Sequence, residues 1–200
     1  DNGATWFLGN GGKPLSSVDS KNPSMSYYGN QLGIVWQEKN GSSFKIKIAL
    51  FWMNNYQSSL FGTVVDESAL NYSYNSNPVI AWGYNGKVVV VWSGFDMCEN
   101  IASNALKYAY GSASSNGISW LTQCAIPNTD ANSINPTIIA DYTISATPFY
   151  YYLAWEQVVN TTTSKIYYDQ ITQGSNNYLS STSYQEISYP SGYSKNYQPS

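Results

Sequence analysis

Short runs in which apolar and polar residues alternate recur along the whole chain, each bounded by Gly, Asn, Ser or Pro. Period-two alternation of β-branched and aromatic residues predicts half-buried strands, and no stretch carries a helical period. The runs also repeat in register. Asn22-Pro23, Asn77-Pro78 and Asn135-Pro136 each open a unit, with Gln198-Pro199 a looser fourth copy, and the prolines stand 55, 58 and 63 residues apart. After each of the first three pairs come an alternating segment, a turn, and an apolar run ending in Trp36, Trp92 or Trp155. The turns are Gly29-Asn30, Asn85-Gly86 and a longer stretch near 145–147; the runs are 32–36, 88–92 and 150–155. Third strands are expected at 45–51, 106–110 and 165–171, and fourth strands at 60–65, 120–126 and 184–189.

Four short strands in a repeat of about 55–60 residues is the pattern of a β-propeller blade. A β-sandwich also shows many short strands. It does not account for Pro and Trp recurring three times in register. The expected fold is therefore all-β, a propeller of four-stranded antiparallel blades. Recurrence of Trp36, Trp92 and Trp155 at one repeat position predicts that they pack between blades.

Composition narrows the chemistry. The 200 residues are 42% hydrophobic but only 10% charged, against a usual charged share of about 25%. All nine basic residues are Lys, and there is no His. Without imidazole there is no Ser-His-Asp or Cys-His nucleophile and no His-ligated metal. Without Arg there is no bidentate fork for a carboxylate or phosphate. A net charge of -3 excludes the basic footprint of a nucleic-acid binder. The carboxylates form no D-x-D-x-D-G run, so neither metal nor cofactor is expected.

The longest apolar runs fall far short of the roughly 20 residues of a membrane span. Three sequons occur, at Asn40, Asn71 and Asn160. The two cysteines, Cys98 and Cys124, are an even count that could pair in an oxidising compartment, or stand as two buried thiols. Low charge, sequons and a possible disulfide together point to an extracellular or cell-surface location.

The opening residues Asp1-Asn2-Gly3-Ala4-Thr5-Trp6 resemble the body of an Asp box, the bacterial neuraminidase repeat Ser-x-Asp-x-Gly-x-Thr-Trp. Ser115-Asn116-Gly117-Ile118-Ser119-Trp120 is similar to a degraded copy, with Ser115 where the family has Asp and Ala113 where it has the leading Ser. The other two repeats carry no recognisable box. In the sialidase-like propellers this motif forms the turn between the third and fourth strands of a blade: Gly takes a conformation other residues resist, and Trp anchors the hairpin. The box-forming residues here are Asp1, Gly3, Thr5, Trp6, Ser115, Gly117 and Trp120.

The family's strand order implies a blade remnant at 1–21, full blades at about 22–76, 77–134 and 135–196, and the start of another at 197–200. Propellers typically have at least four blades, so the chain is expected to be part of a longer one or to be completed by a second copy. The same order gathers the second-to-third-strand loops, 37–43, 93–104 and 157–164, at one end of the channel. They bring Glu38, Asp96, Glu99 and, at a strand edge, Glu156, with ordinary solvated carboxylates as the competing reading. Paired carboxylates could do acid–base work on a glycosidic bond. All three sequons fall at that end. It also makes Cys98 and Cys124 neighbours, implying a disulfide.

Resemblance to sialidases requires an arginine cluster that this sequence lacks, so that activity is not expected. The clusters Tyr27-Tyr28 and Tyr150-Tyr151-Tyr152 are read as packing residues or as platforms for sugars or proteins. The expected function is a non-catalytic, glycosylated extracellular module presenting surfaces to glycans, protein partners or copies of itself. The alternative is a glycoside hydrolase of sialidase-like fold whose catalytic residues lie mainly in missing blades.

Overall fold

The alternating runs become antiparallel strands. The computed structural model describes residues 16, 18–52, 57–65, 75–98, 101–114, 117–141, 149–174, 177–181 and 183–187. The first sheet is a meander of β1 (Ser20–Tyr28), β2 (Gln31–Asn40), β3 (Ser43–Trp52) and β4 (Gln57–Val65). The second repeats it with β5 (Ser76–Trp82), β6 (Lys87–Cys98), β7 (Ile101–Ser114) and β8 (Gly117–Ala125). In the third, β9 (Ser133–Ala140), β10 (Tyr150–Asn160) and β11 (Thr163–Gln173) pair in order, and β12 (Leu179–Ser181) and β13 (Gln185–Ile187) both pair with β11.

Two expectations change in detail. The fourth strand of the last unit, expected at 184–189, is split. β12 pairs with the Ile171–Gln173 end of β11 and β13 with 166–168. The expected loops at 37–43, 93–104 and 157–164 are mostly strand. Pairing runs out to Asn40↔Ser43, Cys98↔Ile101 and Asn160↔Thr163. Gly41, at φ 63°, supplies the left-handed residue of a two-residue hairpin, so the ladder continues to the tip.

The second sheet lies between the other two. Along β6, Val88, Val90 and Trp92 join Val35, Ile46, Ile48 and Leu50 of the first sheet in one core cluster. Val89 and Val91 face the other way, into a cluster with Leu153, Trp155 and Ile171 of the third sheet. All four valines are completely buried, which is why β6 reads as a continuous apolar run rather than an alternation. Each such side chain contributes about 1.5–3 kcal/mol.

First strands lie side by side, β1 against β5 and β5 against β9. Trp82 Nε1 at the end of β5 donates to the Ser26 carbonyl of β1 at 2.8 Å. Polar bonds also cross the second core cluster. The Leu179 N–H donates to Tyr108 Oη at 3.0 Å, and Tyr110 Oη donates to Gln173 Oε1 at 2.5 Å.

Burial pushes the Tyr110 phenol up to about 12 from its ordinary value of 10.0. The folded state therefore holds this proton more tightly than the unfolded chain does. The stability from the neutral phenol is complete below pH 10 and is lost as pH rises through about 12. Melting temperature followed from about pH 9 to 12 should fall more steeply for the natural protein than for Tyr110→Phe. Equal slopes would show that Tyr110 does not drive alkaline unfolding.

Candidate functional site

Each unit opens with the same backbone device. Pro23, Pro78 and Pro136 have no N–H to give to a ladder, and the asparagines before them, Asn22, Asn77 and Asn135, adopt left-handed φ values of 50°, 51° and 51°. Asn tolerates that conformation better than other side chains bearing a Cβ. The register breaks at all three places, between Lys21 and Ser24, between Ser76 and Val79, and opposite Ala154 and Glu156. Such a bulge re-aims the side chain it carries.

The three amides meet. Asn22 Nδ2 donates to Asn77 Oδ1 at 2.5 Å, and Asn77 Nδ2 donates to Asn135 Oδ1 at 2.5 Å. Asn135 Nδ2 then donates to Glu156 Oε2 at 2.9 Å. At the other end Asn22 Nδ2 also reaches Gln37 Oε1 at 3.0 Å. From Asn22 through Asn77 to Asn135 the inter-sheet donors run one way, so the ladder is polarised toward the Glu156 carboxylate. Gln37, Ser93 and Glu156 hold one repeat position, directly after Trp36, Trp92 and Trp155. Gln37 and Glu156 accept from their own sheet's asparagine, whereas the short Ser93 side chain leaves Oγ buried and unpartnered.

The proposed carboxylates fall around this ladder. Glu156 ends it. Glu38 on β2 accepts from Ser16 Oγ at 2.7 Å and from Trp36 Nε1 at 3.3 Å. Glu38 and Glu156 belong to sheets separated by the second sheet, and each is engaged by different donors. Asp96 lies in strand β6, its side chain not described, and Glu99 lies outside the described residues. Among the described residues no group of His, Cys, Asp and Glu is arranged to hold a metal, and no helix is long and apolar enough to cross a membrane.

Asn40 and Asn160 close β2 and β10 at the ladder end of the sheets. Asn160 is exposed, and its Oδ1 accepts from both the N–H and the hydroxyl of Thr162 at 3.0 Å. Those bonds leave Nδ2, the atom that would carry a glycan, uncommitted among the described residues. Asn71 lies outside the described residues, as do Asp1, Gly3, Thr5, Trp6 and Ser115. Gly117, at φ 124°, opens β8, and Trp120 packs half-buried against the first core cluster. Both lie on the fourth strand of their sheet, next after β7. Cys124 pairs with Tyr108 across β7 and β8 and carries no free thiol. Cys98 ends β6, its side chain not described.

The tyrosine clusters divide by alternation, and both lie away from the ladder. Tyr27 is exposed, Tyr28 packs edge-on against Tyr84, and Tyr151 is fully buried between two exposed or half-buried neighbours. Two cavities open near the ladder end instead. One of about 240 Å³ lies between Ser76, Ser93, Gly94 and Ser133. Another, of about 190 Å³, is lined by Asn128, Asp130, Trp155, Gln157, Tyr167 and Tyr184. The recurring Asn-Pro pairs are the sequence signal of the ladder. The second cavity has no such signal, since its walls come from a turn, β10, β11 and Tyr184.

No family model and no curated protein matches this chain. Among solved structures, it is similar to a glycosyl hydrolase from Bacteroides ovatus at 12% identity and a TM-score of 0.49, over 87% of this chain and 53% of that one. It is also similar to a candidate glycoside hydrolase from Parabacteroides distasonis at 12% identity and a TM-score of 0.41, over 82% and 50%. A second candidate glycoside hydrolase from Bacteroides ovatus gives 12% and 0.45, over 82% and 48%. The chain spans about half the length of each of these structures.

Proposed function

We propose that the three sheets are blades of a sialidase-like β-propeller and that this segment is a non-catalytic extracellular module for binding or assembly. The observation that supports this reading is the Asn22–Asn77–Asn135 ladder. It joins the first strands of three successive antiparallel meanders in chain order, as inner strands around a common axis require. Gly117 and Trp120, on the fourth strand of the second sheet, support reading 115–120 as an Asp box. Blades at 22–76, 77–134 and 135–196 follow, with completion by further chain or by a second copy.

The carboxylates favour binding over hydrolysis. Glu38 and Glu156 are each engaged through Oε2, by a hydroxyl and an indole N–H and by an amide, which gives both a place in the structure apart from catalysis. A Cys98–Cys124 disulfide belongs to the proposal, supported by Cys124 carrying no free thiol in a chain of two cysteines. So does glycosylation at Asn40, Asn71 and Asn160. Peptide mass analysis after Lys-C cleavage tests the reading on protein from its native source. Hexose-sized increments are expected on the peptide bearing Asn160 and on those bearing Asn40 and Asn71. Unmodified asparagines together with hydrolysis of a glycoside panel would overturn it in favour of the hydrolase.

A further inference from the structure

We infer that the cavity of about 190 Å³ beside Trp155 binds a single neutral sugar residue. The inference rests on the binding-module reading and gives it a location. Trp155 and Tyr167 stack with ring centroids 5.8 Å apart at 21°, and Tyr184 leans on both at 6.3 and 5.5 Å. Tyr184 is 46% exposed, so part of this aromatic wall faces solvent. Aromatic rings offer an apolar face with a polar tip, which suits a ring that has C–H bonds on one side and hydroxyls at its edge.

Polar groups already held in place line the same cavity. Asp130 Oδ1 accepts from the Asn132 N–H at 2.8 Å and from Gln157 Nε2 at 2.9 Å, and Gln157 Oε1 accepts from Ser133 Oγ at 2.7 Å. Fixed amides and carboxylates favour adjacent hydroxyls because little ordering cost remains at binding. Beyond Tyr167 lies Glu186, which accepts from Tyr167 Oη at 3.3 Å and pairs with Lys165 at 2.9 Å. No basic side chain lines the cavity, and Asp130 would repel an anion. The ligand is therefore an uncharged sugar rather than an acidic or phosphorylated one.

Trp155 itself supplies a further observation. It is 2% exposed, and its Nε1–H is buried with no partner. At the same repeat position Trp92 Nε1 donates to Asn75 Oδ1 at 2.9 Å. The third sheet has Ser133 where the second has Asn75, and the Ser133 hydroxyl is turned to Gln157. A buried donor left without an acceptor is costly, and Trp155 carries that cost at the wall of the cavity. The volume is below the roughly 300–1,000 Å³ of drug-sized pockets, which limits the site to one ring.

Indole N–H signals of the ¹⁵N-labelled protein, whose chain has seven tryptophans, report on the site. The probes are methyl α-D-mannopyranoside, methyl β-D-glucopyranoside, methyl β-D-galactopyranoside and choline chloride, titrated through the roughly millimolar range expected of a one-ring ligand. At least one glycoside should move, saturably, the signal that Trp155→Phe removes. Tyr184→Ala and Asp130→Asn, both changes at exposed positions, should each weaken that response about tenfold, roughly the effect of one lost contact, with the native indole spectrum otherwise kept. Should Trp155→Phe fail to fold, the signal displaced by both of those variants identifies Trp155. The inference is overturned if no glycoside moves the signal, if choline moves it instead, or if both variants bind as the natural protein does. Sequon occupancy is measured separately, so an empty cavity with glycosylated asparagines overturns this inference alone. Bare asparagines with glycoside hydrolysis overturn the reading beneath it.

Discussion

Trp92→Ala is expected to lower the unfolding free energy by about 3–5 kcal/mol, the range for removing a large aromatic from a core. Trp92 is 1% exposed, packed among Val35, Ile46 and Val90 between the first and second sheets. Its Nε1 donates to Asn75 Oδ1, and the Asn75 Nδ2, itself buried, donates to the Phe44 carbonyl of β3 at 3.2 Å. Truncation thus opens a cavity and removes the donor that holds Asn75 in its bridge to the neighbouring sheet.

The repeat provides its own control. Trp155 has the same repeat position and nearly the same burial, yet its Nε1–H is unpartnered. Phenylalanine removes the N–H at either site for a similar loss of volume. Trp92→Phe should therefore cost about 1–3 kcal/mol more than Trp155→Phe, the cost of stranding a buried polar partner. Urea unfolding with an unchanged m-value measures both. Equal losses would mean that the indole bond to Asn75 contributes nothing to stability.

The strands and their grouping were legible because burial imposes the pattern. β6 must bury both faces, so it reads as Val-Val-Val-Val-Trp; β1, with most of its residues exposed or half-buried, reads as an alternation. Strand ends were less legible. Beyond Gln37 and Gln157 the hairpins project past the core, and backbone pairing continues without an apolar face to announce it.

The site was legible in one respect only. Asn22-Pro23, Asn77-Pro78 and Asn135-Pro136 stood out as punctuation, and proline explained them locally. That the asparagine side chains bond to one another across 55 and 58 residues depends on a left-handed φ and on which sheets become neighbours. Neither is written in spacing alone. For Glu38 and Glu156 the sequence supplied the charges but not the donors that occupy them. Their chemistry is decided by Trp36 and Asn135, whose orientation only the folded strands set.

Asn77→Ala is expected to cost about 2–5 kcal/mol, a large effect for a half-buried polar residue. Alanine at φ 51° carries the left-handed penalty of about 1–2 kcal/mol. Two side-chain bonds, to Asn22 and Asn135, are lost at about 0.5–1.5 kcal/mol each. Asn77→Gly separates the two causes, because glycine accepts the backbone conformation and still lacks the amide. It should recover about 1–2 kcal/mol, leaving the bonds as the remainder. Asn77→Asp tests the direction of the ladder. A carboxylate at Glu156 can only accept, so Asn135 must turn Nδ2 toward it and Oδ1 toward residue 77. Aspartate there keeps an acceptor for Asn22 but sets a carboxylate against the Asn135 oxygen, and reversing Asn135 would only move the repulsion to Glu156. Asn77→Asp should therefore be less stable than Asn77→Gly in urea unfolding near neutral pH, despite Asp tolerating the left-handed conformation. If Asn77→Gly instead matches the natural protein, the core clusters alone hold the three sheets together and the ladder adds nothing to their stability.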